Sequence, residues 1–129
     1  MTQEEKDLLF KDLCARLPYG VVCADRYVDE KFTNTNKWNV LAIDGIEQVC
    51  ISNCEKIYGY KTSITNVKPY LFPLSSMTEE QKKEEYEICK EFIIGYESNL
   101  IDFYNKYHFD YRGLIPKGLA IDATGLNIY

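Results

Sequence analysis

Lys68-Pro69-Tyr70-Leu71-Phe72-Pro73-Leu74-Ser75-Ser76-Met77-Thr78-Glu79-Glu80 divides the chain into a β-rich part before it and a helical part after it. Pro69 and Pro73 lack a backbone donor and hold their predecessors extended. A strand that reaches Val67 is therefore predicted to end there, or to continue only as an edge. Ser76 stands three residues before Glu79, and Thr78 three before Gln81. Either hydroxyl can cap a helix whose acidic first turn suits the positive end of the helix dipole.

Upstream, from Val21 to Val67, short β-branched and aromatic runs alternate with Asn, Asp and Gly. This pattern predicts antiparallel strands near 20–25, 30–35, 38–43, 46–52, 55–60 and 62–67. Asp44-Gly45 is the best hairpin signal, because both residues tolerate the positive φ of a tight turn. Such strands make either a small antiparallel sheet or an SH3-like barrel. Ahead of them, Thr2 and Glu5 form a capping-box pair before Leu9, Phe10, Leu13, Cys14 and Leu17, which recur at helical spacing. A helix is predicted over about residues 3–16, stopped by Pro18-Tyr19-Gly20, with its apolar stripe on the sheet or on another helix.

Downstream, Tyr86, Cys89 and Ile93, with Ile88 and Phe92, give an apolar face to a helix over about residues 77–94 that Gly95 stops. Ser98 is placed to cap a third helix reaching about His108, and the short link between the two predicts an antiparallel pair. Gly113, Pro116, Gly118 and Gly125 make the tail a docked set of turns or a short extended segment. The expected fold class is α+β in one domain over residues 1–129: a helix in 1–17, the β-rich part in 18–74, and a helical hairpin with its tail in 75–129.

With 129 residues, 46% of them hydrophobic, the chain can bury one ordinary core and is too short for two independent domains. There is no apolar run of about eighteen residues, and the start is rich in Glu and Lys, which predicts a cytoplasmic protein off the membrane. Cys14, Cys23, Cys50, Cys54 and Cys89 are odd in number and dispersed, so reduced thiols are expected. The net charge of −5 is uneven: residues 78–97 carry seven acids and three bases, whereas residues 18–77 balance six against six, so the acidity belongs to one helix. A sheet edge or an apolar helix face could pair two copies.

Three blocks carry a resemblance. They are Leu13-Cys14-Ala15-Arg16-Leu17-Pro18-Tyr19-Gly20-Val21, the stretch Lys68 to Glu80, and His108-Phe109-Asp110-Tyr111-Arg112-Gly113-Leu114-Ile115 with Lys117-Gly118-Leu119-Ala120. Together they resemble a family of small uncharacterised proteins from gut Bacteroidales and their phages. The resemblance implies a phage or mobile-element context. It carries no activity and no catalytic residue, and it does not extend past Ala120.

The candidate chemistry is sparse. Cys50 and Cys54 lie four apart, but structural zinc wants four ligands, and the chain offers one histidine and no second thiol pair. His108 is the sole imidazole available to a thiol or hydroxyl nucleophile; its place at a helix C-terminus is also explained by a favourable interaction with the dipole. Glu79/Glu80 and Glu84/Glu85 fit a solvated helix face, and no glycine-rich phosphate loop is present. Eleven tyrosines could stack nucleobases, yet a chain of pI near 4.9 lacks a basic stripe, which makes nucleic acid a weaker partner than protein. His108, Phe109, Asp110, Tyr111 and Arg112 combine rings and one arginine in a nonhelical stretch, the residue types that anchor interfaces. Alternatively, Phe109 and Tyr111 dock the tail while Asp110 pairs with Arg112 or caps a turn. The expected function is a non-enzymatic accessory protein without a cofactor that binds a host or phage protein as a counter-defence or regulatory factor. The alternative is a binder of a small molecule, nucleotide or single-stranded nucleic acid on the aromatic β surface.

Overall fold

The computed structural model of the chain describes residues 1–26, 36–45, 47–53, 59–90 and 96–129. Helix α1 runs Gln3–Arg16, closed at its start by the reciprocal Thr2/Glu5 capping box. Leu9 and Leu13 bury its apolar stripe. Cys14, expected on that stripe, is exposed, and the fully buried positions beside the leucines are Asp12 and Arg16. A turn at Leu17–Tyr19 then leads into the sheet.

The strands are β1 (Val22–Asp25), β2 (Trp38–Asp44), β3 (Gln48–Asn53), β4 (Gly59–Ser63), β5 (Val67–Leu71) and β6 (Ile121–Asp122). Among the described residues they form an open sheet in the order β4-β3-β2-β1-β5-β6, antiparallel except for β5 with β6. Of the two expected β architectures, the open sheet is the one realised. A single turn, Ile64–Asn66, nonetheless links β4 at one edge to β5 beyond β1. So short a link forces the sheet to curl until those strand ends approach each other.

Three strand expectations need correction. Asp44 is the last residue of β2, paired with Gln48, so the hairpin turn starts at Gly45, whose φ is +71°. The strand expected over 62–67 is instead the end of β4, the turn, and the first residue of β5. A strand starts at Val67 rather than ending there, and it runs through Pro69. Proline is tolerated because β5 has a ladder partner on one side only at that point. Pro69 lies opposite Cys23 of β1, and β6 begins opposite Tyr70. The strand expected over 30–35 lies outside the described residues, as do residues 55–58 of the one expected over 55–60.

The period-two alternation of β1 and β5 sends side chains to two cores. Cys23, Val67 and Leu71 face the main cluster with Leu9 and Leu13 of α1, Leu114 and Leu119. Ala24 and Tyr70 face the other side, where the tail covers them with Ala123, Leu126 and Ile128.

Helix α2 spans Glu79–Lys90 and helix α3 Tyr96–Lys106. Thr78 and Gln81 make the capping box for α2, so the second of the two hydroxyl candidates is used. Ser98 falls inside α3 and does not cap it. The pair is antiparallel: Tyr107 and Tyr104 donate hydroxyls to Glu84 and Glu85, while Ile88 packs with Leu100 and Phe103. Tyr86, expected on the packed face, is 65% exposed. Phe92, Ile93 and Gly95 lie outside the described residues. No described helix is long and apolar enough to cross a membrane.

Candidate functional site

The end of α3 is built without glycine. The His108 N–H donates to the Asn105 carbonyl (3.2 Å) and the Phe109 N–H to the Tyr104 carbonyl (2.8 Å), with His108 at φ +61°. This is the paired hydrogen-bond closure of a helix whose next residue is left-handed, a place usually given to glycine. An L-residue there costs about 1–2 kcal/mol. The chain then lies beside the end of β5: Phe72 N–H donates to the His108 carbonyl and Asp110 N–H to the Phe72 carbonyl, both at 2.8 Å. Two of the blocks singled out in the sequence are thus hydrogen-bonded to each other.

The first block joins them through Arg16, its one charged residue. Arg16 Nε and Nη2 donate to the Asp12 carboxylate (2.7 and 3.2 Å), and Nη2 also donates to the Phe109 carbonyl at 2.7 Å. Arg112 Nε reaches the same carboxylate at 3.2 Å. The Tyr111 ring lies beneath both guanidinium groups, 5.1 Å from Arg16 and 4.8 Å from Arg112, and stacks on Tyr104. Its hydroxyl donates to Asn105. Asp110 accepts the backbone N–H groups of Leu114 and Ile115, so it caps a turn. Of the five segment residues named from sequence, Asp110, Tyr111 and Arg112 are therefore held by internal partners, and Phe109 is buried.

His108 differs. Its ring stacks face to face on Tyr129, with centroids 3.5 Å apart and planes 9° from parallel. Its Nδ1 is buried and has no hydrogen-bond partner. Burial first, and then the Arg16 cation, lower its pKa from the ordinary 6.5 to about 4. The ring is neutral at pH 7 and gives the helix C-terminus no charge, which corrects the dipole explanation. The Tyr129 hydroxyl accepts from Val22 N–H (3.0 Å) and donates to the Tyr70 carbonyl (2.8 Å). It bridges β1 and β5 where their own ladder has stopped at Cys23 and Pro69. Burial raises the pKa of this phenol.

Phe72, Tyr107, Phe109 and the stacked His108–Tyr129 pair wall a cleft of about 430 Å³. Ser76 and Thr78 just before α2, Gln81 in its first turn and Lys106 at the end of α3 add the polar part of the lining. That volume falls within the range of small-molecule sites. No sequence signal announced this cleft except the absence of glycine after α3, because its walls come from three distant stretches.

The described residues contain no group of three metal-ligating side chains; Cys54, half of the thiol pair considered above, lies outside them. Burial raises the thiol pKa values of Cys23 and Cys14, which disfavours the thiolate at both. Comparison of the chain with protein-family models, with curated proteins and with solved structures gave no match.

Proposed function

We propose that this protein is a small non-enzymatic binding module that takes a compact, ring-bearing small molecule into the cleft beside His108. The observation that carries this reading is the state of His108, which lines a concave aromatic wall and combines a strained backbone with a buried ring nitrogen that has no partner. Strain and unsatisfied polar atoms persist where the surrounding structure is put to use. The non-catalytic half of the reading is supported by the same ring. No carboxylate or thiol orients its Nδ1 among the described residues, and a pKa of about 4 makes it a weak base at neutral pH. Relative to the alternative read from sequence, the binding surface moves from the strands to the helix ends and the tail.

The test is a titration of the protein with a panel of small ring compounds, followed by NMR. His108 is the sole histidine, so its imidazole resonances need no separate assignment. Saturable shifts of His108 and Tyr129 are expected for at least one compound. Absence of shifts there across the panel would overturn the reading.

A protein partner is the second reading. It is favoured by α2, which buries no residue fully and leaves Tyr86 open. Stoichiometric capture of one protein, lost on Tyr86→Ser, would support it.

A further inference from the structure

We infer that the ligand is anionic: a flat aryl compound bearing one carboxylate, its ring against the aromatic wall and its charge at Lys106. This rests on the binding reading above. Three observations carry it. The cleft lining contains no aspartate or glutamate, although the chain has 20 acids against 15 bases. Lys106 has no carboxylate partner among the described residues, and its Nζ lies 5.0 Å from the centre of the Tyr107 ring, which lines the same cleft. Gln81 turns its carbonyl oxygen to the Thr78 N–H, which leaves its amide N–H₂ as an unclaimed donor on the same lining.

The fixed dipoles agree in sign. Thr78 caps α2 and Gln81 lies in its first turn, at the positive end of a twelve-residue helix. Of the acids in and next to that turn, Glu79 pairs with Lys82, Glu80 is exposed and outside the cleft lining, and Glu84 accepts the Tyr107 hydroxyl. The neutral imidazole adds no charge of its own. Charge recognition therefore falls to Lys106 and Gln81.

The experiment compares 4-hydroxyphenylacetate with its neutral amide, 4-hydroxyphenylacetamide, by titration at low salt with the His108 resonances as readout. The acid is expected to bind roughly fivefold more tightly, the size of one partly exposed ion pair. Lys106→Gln should erase that preference, weakening the acid by more than it weakens the amide. Gln81→Glu, which keeps an acceptor for the Thr78 N–H, should weaken the acid more than the amide. Equal binding of acid and amide, insensitive to both substitutions, would overturn the anion assignment while leaving the cleft as a binding site. If neither probe moves the His108 signals, the anion assignment falls, and the binding reading falls with it only if the rest of the ring-compound panel is silent as well.

Discussion

His108 and the Asp110–Arg112 segment are neighbours in the chain, yet their polar groups meet opposite fates. Around Asp12, two arginines, a tyrosine ring and a backbone carbonyl form a knot whose members are held by one another, with Arg16 Nη1 the atom left over. Around His108, the backbone is left-handed, the ring nitrogen has no partner, and a cleft opens. A segment that looked uniform as text therefore splits into a part that fastens three regions together and a part with unspent polar capacity. Rings and an arginine do not by themselves mark an interface; the hydrogen-bond tally around each does.

The largest test of this contrast is Asp12→Ala. It would leave Arg16, 0% exposed, and the partly buried Arg112 without their shared carboxylate. Breaking a buried ion pair by removing one partner costs about 3–5 kcal/mol. Urea unfolding should show a loss of that size, and a loss under about 1 kcal/mol would mean that the knot does not fasten the fold.

The knot was only partly legible. Helix α1 could be read to its ends because cap and stripe are local signals. Asp12 and Arg16, four apart, look on paper like an exposed pair, and only the arrival of Arg112 and Phe109 from the far end of the chain buries them. Pro69 misled for a related reason: the rule excludes proline where a donor is needed, and β5 needs none there because its second neighbour starts one residue later. The cleft was legible only in the missing glycine after α3, since Phe72, Lys106 and Tyr129 share no local pattern. His108 itself was singled out, but its left-handed backbone was not.

A smaller effect is expected at the seam between strands. Tyr129→Phe keeps the ring over His108 and removes the hydroxyl that serves Val22 and Tyr70. With two hydrogen bonds lost, a destabilisation of roughly 2 kcal/mol is expected by urea unfolding. An unchanged midpoint would show that the hydroxyl does not hold the two strands, and the contrast between the regions would then rest on His108 and its cleft without the seam.

His108 gives the smallest stability change and the sharpest one, because its sign is unusual. His108→Gly removes the left-handed strain and the orphaned nitrogen, at the expense of the Tyr129 stack and a more flexible unfolded chain. The balance favours the variant by about 1 kcal/mol at pH 7. Acid adds an independent check. The neutral ring is favoured in the folded state, so its contribution is complete above the ordinary pKa of 6.5 and is lost as the pH falls from there through about 4. The natural protein should therefore weaken between pH 6.5 and 4 by more than His108→Gly does, while the other titrating groups are common to both. If the two curves run parallel, His108 is not held neutral by the fold. If His108→Gly proves as damaging as Asp12→Ala, the histidine belongs to the knot, and the division of the segment into a fastened part and an open one is wrong.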